Sequence, residues 1–134
     1  MLHQNSVRRL ACVLIFILFI SFVSIKNYVN NASAASVTPI LYSDSNDKDL
    51  PNEIKNLPSV KFESSGTQYL DGKKVTVEFL SDNKHLYFIS DVPIAYVFVK
   101  GGPDGYLYKY NPPVYTDNDL YTPTNRGGQQ ADIS

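Results

Sequence analysis

The chain has 134 residues, 43% of them apolar and 13% aromatic, which fits one globular domain and excludes a disordered chain. Its formal charge is −1, but residues 1–35 carry Arg8, Arg9 and Lys26 and no acid; without them nine basic residues face thirteen acidic ones, a net of −4. A nucleic-acid binder needs a basic surface to displace counterions from phosphate, so that class is argued against.

Residues 1–9 are short and basic, residues 10–25 (LACVLIFILFISFVSI) form an apolar run, and residues 26–36 turn polar and end in small side chains. This three-part layout is that of a secretory signal peptide occupying residues 1–34, with Ala32-Ser33-Ala34 as the small-x-small pattern and cleavage between Ala34 and Ala35. An uncleaved anchor is the rival reading, although sixteen apolar residues at 1.5 Å each fall short of the roughly 20 needed for a hydrocarbon core. Contact with the membrane is expected only through this run. The one cysteine, Cys12, lies inside it, so the processed chain has no disulfide, Cys nucleophile or thiolate ligand. That fits bacterial export better than a small eukaryotic disulfide scaffold.

Residues 35–58 read as irregular. Residues 37–42 can form a short edge strand, with Pro39 removing one donor. The acidic cluster Asp44, Asn46, Asp47, Asp49 resembles a calcium loop only superficially, because Asp49 replaces the glycine and Lys55 the final glutamate, so a solvated loop is expected. Residues 51–56 suit one helical turn, started by Pro51 and stopped by Pro58.

From residue 59 onward the pattern is β. Val60 and Phe62 alternate with Lys61 and Glu63, and Asp71-Gly72 is a turn dipeptide. Val75, Val77 and Phe79 alternate with Thr76 and Glu78, the period-2 signal of a half-buried strand. Residues 81–84 form a polar turn, and residues 86–89 return apolar on both faces. After an Asp-Val-Pro corner, Ile94, Tyr96 and Phe98 are expected on one face and Ala95, Val97 and Val99 on the other. Strands buried on both faces require a second layer, and with no long amphipathic helix the layer should be another sheet. Residues 59–134 are therefore expected to be all-β, a small antiparallel β-sandwich.

Gly101-Gly102-Pro103-Asp104-Gly105 suits a tight hairpin loop, after which Tyr106, Tyr108 and Tyr110 share a face until Asn111-Pro112-Pro113 ends the strand. Residues 115–125 read as loop. The hairpin Lys100-Gly101-Gly102 through Tyr108-Lys109-Tyr110, followed by Asp117, Leu120, Pro123 and Asn125, resembles the C-terminal part of a loosely defined group of secreted β-rich proteins of Gram-positive bacteria. The resemblance spans residues 94–134. It implies an extracellular or cell-surface β-module, brings no catalytic residues, and implies that a closing strand follows the position of Ile133-Ser134.

Chemistry is sparse. After residue 35 the chain has one histidine, His85, beside Asp82, with no nucleophile elbow; an exposed turn histidine is the plain reading, and no metal site or cofactor is expected. Asp104, Asp117 and Asp119 sit in sequence contexts where turns explain Asp without catalysis. Tyr106, Tyr108, Tyr110, Tyr115 and Tyr121 are the functional candidates, as an exposed aromatic platform for a glycan or protein partner. Against this stands ordinary packing, since tyrosine is a favoured strand residue. The expectation is an exported, non-catalytic binding module. A small carbohydrate-active hydrolase using Asp117 or Asp119, and a structural component of an envelope layer, are the alternatives.

Overall fold

A computed structural model describes residues 11–15, 37–43 and 50–134. The cleavage site at Ala34 and Ala35 and the acidic cluster of residues 44–49 lie outside these residues. Among the described residues all regular structure is strand: β1 Ala11–Ile15, β2 Ile40–Tyr42, β3 Ser59–Lys61, β4 Gly66–Leu70, β5 Lys73–Phe79, β6 His85–Gly101 and β7 Asp104–Tyr121. The all-β antiparallel expectation holds.

Two turns form as their residues dictate. Asp71 and Gly72 both take positive φ, at 59° and 77°, in the two-residue loop joining β4 to β5. Gly102, at φ 64°, leads the two-residue loop closed by the Gly101–Asp104 pair at the tip of the β6–β7 hairpin.

That hairpin organises the molecule. Residues 86–90 of β6 pair with β5 on one edge and with the end of β7 on the other. Residues 96–99 of β6 pair with the start of β7 on one edge, and Ile94 with Val114 past the corner, while the opposite edge of residues 94–99 holds β1, with β3 beyond it; β1 runs parallel to both. β2 adds to β7 as an edge strand, as expected, but starts only after Pro39.

Both long strands bend. Ladder register shifts between Ile89 and Ile94 of β6 and again between Ile94 and Tyr96, opposite Asn111-Pro112-Pro113 of β7. Chain direction proves the fold-over: 13 residues of straight strand would span about 43 Å, yet the Tyr108 hydroxyl donates to the Tyr121 carbonyl and accepts from the Tyr121 N–H, each at 2.9 Å. Strands that cross from one sheet to the other at bulges and bends make the corners of a sandwich.

The inner faces of the two halves share one core. It contains Phe62, Leu70, Val75, Val77, Leu86, Phe88, Val92, Ile94, Val97, Val99, Tyr108, Tyr110 and Leu120. Val75 and Val77 face inward with half-buried Phe79, as the alternation predicts. Ile94 does not follow its expected face: it lies with Val97 and Val99, while Phe98 and Tyr96 pack on the opposite side. The reason is a bulge. β1 matches Ala11 to Ile94 and Cys12 to Tyr96, leaving Ala95 as the extra residue that inverts the alternation.

Among the described residues the outer face is covered by a turn segment rather than by the expected sheet. Ile54, fully buried, sits against Phe98 and Leu107, with Leu50, Leu57, Tyr42 and Tyr96 around them. The expected single turn delivers it: the Ile54 and Lys55 N–H groups both bond the Pro51 carbonyl, at 3.0 and 3.2 Å. Lys109, outward between Tyr108 and Tyr110, pairs with Glu53 at 3.1 Å over this turn. Phe98 also explains Gly105, where an added Cβ would come within 2.2 Å of the Phe98 ring.

Candidate ligand-binding surface

The alternation of Tyr106, Tyr108 and Tyr110 is real, but their common face is the inner one. Tyr108 and Tyr110 are buried at 1% and 4% exposure, so the five tyrosines do not form an exposed platform. Tyr106, Tyr115 and Tyr121 remain half-buried. Tyrosine carries enough apolar ring to fill a core provided that its hydroxyl finds a partner, and both buried phenols do.

Tyr106, Tyr108 and Tyr121 form a cluster with ring centroids 5.7 to 6.2 Å apart and near-perpendicular planes. Edge-to-face pairs of this kind contribute about 0.5–1.5 kcal/mol each beyond burial. Burial pushes the Tyr108 hydroxyl far above the ordinary phenol range. It therefore stays protonated and bridges the two ends of β7. Tyr108→Phe keeps the ring and removes both bonds, so a loss of about 1–3 kcal/mol is expected; urea unfolding of the two proteins measures it.

Tyr110 donates to Asp117 Oδ2 at 2.5 Å, and the Asp119 N–H donates to Asp117 Oδ1 at 2.9 Å. Asp117 is 3% exposed, not in a loop but within β7, opposite Phe88. Burial raises its carboxyl from 3.8 to about 6, while the two hydrogen bonds pull the other way. Tyr110 is raised in turn, first by burial and then by the charge of Asp117. Asp104 is also buried, whereas Asp119 is exposed. Both Asp117 oxygens are thus bonded by groups of the chain itself.

His85, expected to be exposed, is half-buried at the start of β6. Its Nδ1 meets Asp82 Oδ2 at 2.6 Å, and its ring leans on Tyr121 with centroids 6.2 Å apart. Asp82 Oδ1 accepts from the Lys84 and His85 N–H groups at 2.8 and 3.0 Å. The Lys84 N–H, then the His85 ring, hold the Asp82 carboxyl down at about 2. Asp82 and His85 thus serve to close a turn.

Beside that turn opens a cleft of about 800 Å³, lined by Lys84, Gly102, Asn125, Gln129, Gln130, Ala131 and Asp132. No periodicity or motif in the sequence points to it, although Asn125 belongs to the loop pattern that carries the resemblance. Three segments hold it. Asn125 Oδ1 accepts from the Gly127 and Gln129 N–H groups at 2.9 and 3.0 Å, and the Thr122 hydroxyl donates to the Ala131 carbonyl, so residues 122–131 form a self-bonded loop. Lys84 Nζ pairs with Asp132 Oδ1 at 2.6 Å, and the Ile133 N–H donates to the Asn83 carbonyl at 2.9 Å, which ties the tail to the β5–β6 turn. Gly101 permits the close fit: a Cβ there would lie 2.8 Å from Thr122 Cβ.

The lining is rich in carboxamides and contains one carboxylate, Asp132, already paired. A carboxamide donates and accepts at once, which matches the hydroxyl groups of a polyol better than a charged or apolar ligand. Among the described residues no three His, Cys, Asp or Glu side chains are grouped as a metal centre would require. No protein-family model, curated protein or solved structure matches the chain.

Proposed function

We propose that the chain is an exported β-module that binds a glycan outside the cell without transforming it. The observation that carries the reading is the carboxamide-lined cleft between the β5–β6 turn, the tip of the β6–β7 hairpin and the loop of residues 122–131. Gln129 and Gln130 both line it, the Gln130 Nε2 donating to the Thr122 carbonyl at 3.4 Å, and the Lys84–Asp132 pair adds a charged donor and acceptor at the rim. The layout of residues 1–34 supports export.

Hydrolysis is the weaker reading. Glycoside hydrolysis ordinarily needs two carboxyl groups roughly 5–9.5 Å apart facing one bond. The cleft lining contains only Asp132, and the raised Asp117 is buried under Tyr110.

A glycan array probed with the exported protein tests the proposal. Binding to at least one glycan class is expected, with Gln129→Ala and Gln130→Ala together weakening it tenfold or more and no sugar released. Unchanged binding in that double variant, or no glycan bound, refutes the cleft as the site. Release of sugar would favour the hydrolase.

A further inference from the structure

Along β6 the β-domain itself serves both edges of one stretch and only one edge of the other. Residues 86–90 of β6 have β5 and β7 on their two sides. Residues 94–99 have β7 on one side, and on the other side their only strand among the described residues is β1, through Ala11–Ile94, Cys12–Tyr96, Val13–Val97, Leu14–Phe98 and Ile15–Val99. β1 comes from the apolar run that reads as an export signal, and it runs parallel to its neighbours in an otherwise antiparallel sheet. Export with cleavage removes it.

What remains is a row of unpaired N–H and C=O groups inside a core strand, with β3 left on the far side. The tail bounds this row. Since β7 takes one edge of Gly101 through Asp104, the antiparallel bridge of Ile133 to Gly101 must lie on the other edge, and the Ser134 N–H bonds the Lys100 carbonyl at 3.1 Å. The open stretch is therefore Ile94 to Val99, about 20 Å of strand. Its side chains enter both cores: Val97 and Val99 the inner one, Tyr96 and Phe98 the outer one. A guest strand there meets apolar surroundings on both faces and must be apolar at every position, not alternating.

We propose that this edge is a strand-accepting site, which the exported chain fills with an uninterrupted apolar segment of about five residues donated by another polypeptide. The recognition is β-strand addition: backbone hydrogen bonds supply affinity, and the two-sided apolar slot supplies selectivity. This inference rests on the export part of the functional reading and is independent of the glycan cleft.

The test uses the exported protein, its intact mass measured first, and a synthetic peptide of residues 10–16 with Cys12→Ala and a soluble lysine tail. Amide hydrogen exchange is followed at residues 94–99, with residues 75–77 of β5 as the internal standard for an intact fold. The expected result is a leaderless mass, rapid exchange at those amides of residues 94–99 that do not bond β7, and at least tenfold slowing with peptide. A Val13→Pro peptide, which lacks a donor in mid-strand, should not slow it. A leaderless protein whose exchange the peptide does not change overturns the proposal and leaves the export reading standing. A leaderless protein already protected without peptide also overturns it, because the chain then covers its own edge. A mass that includes residues 1–34 refutes cleavage, and with it a site open in trans.

Discussion

Ile54→Ala is expected to cost about 2–5 kcal/mol, the range for truncating a fully buried aliphatic side chain, and to lower Tm by roughly 10–25 °C for a domain of this size. Ile54 belongs to no strand. It is fully buried because residues 50–57 lie across the outer face of the sheet, where it meets Phe98 and Leu107. The neighbouring Lys55→Ala, on an exposed residue of the same turn, should change stability by less than about 0.5 kcal/mol. Thermal unfolding of both variants decides the matter. A loss below about 1 kcal/mol for Ile54→Ala would mean that the turn is a dispensable loop and that the sheet keeps its outer face without it.

The second large effect is a pH dependence of unusual sign. Most native carboxylates are held below their ordinary range, so stability falls on acidification. Asp117 is held above it, at about 6 against 3.8, chiefly by burial. Between these values the folded chain keeps a proton that the unfolded chain releases. Asp117 therefore favours the fold most below about pH 4, and this contribution is lost as pH rises through about 6. The proton is held more tightly in the folded chain by something on the order of 2–3 kcal/mol. The groups facing it are the Tyr110 and Tyr108 hydroxyls, the Asp119 carboxylate and the Phe88 ring. Asp82, held at about 2, acts in the opposite direction from an exposed turn and loses its smaller contribution as pH falls below 4. Urea midpoints of the native chain and Asp117→Asn from pH 4 to pH 7 should differ in slope, with the decline flattened in the variant. Parallel curves would remove Asp117 as the cause.

The strands with one buried face were legible because alternation reports directly on burial: Val75, Val77 and Phe79 lie where the pattern puts them. Turns were legible because Asp71-Gly72 and Gly102 supply the positive φ that their loops need. Ile94 departs from its expected face because a bulge at Ala95 adds a residue without leaving a compositional mark. The tyrosines were legible as one face but not as an inner face, since tyrosine is at home both in water and in a core with a partner for its hydroxyl. Asn111-Pro112-Pro113 reads as a strand end, yet β7 continues to Tyr121, because the prolines fall where β6 leaves register and no ladder bond is demanded of them. Of the candidate binding surface almost nothing was legible: its glutamines and its single ion pair come from separate turns, and only the closed chain brings them together.

The continuity of β6 and β7 through the corner also sets the order in which the molecule can become itself. A chain is made and delivered from its N-terminus, and β2, β3 and the β4–β5 hairpin all emerge before residue 85. Among the described strands β2 pairs only with β7, and β5 leans on β6. Among the described strands, nothing early can assemble beyond the short β1–β3 ladder and the small β4–β5 hairpin, which is marginal by itself in water. The last third of the chain carries the framework, and the first two-thirds must wait, extended and partly apolar, until it arrives.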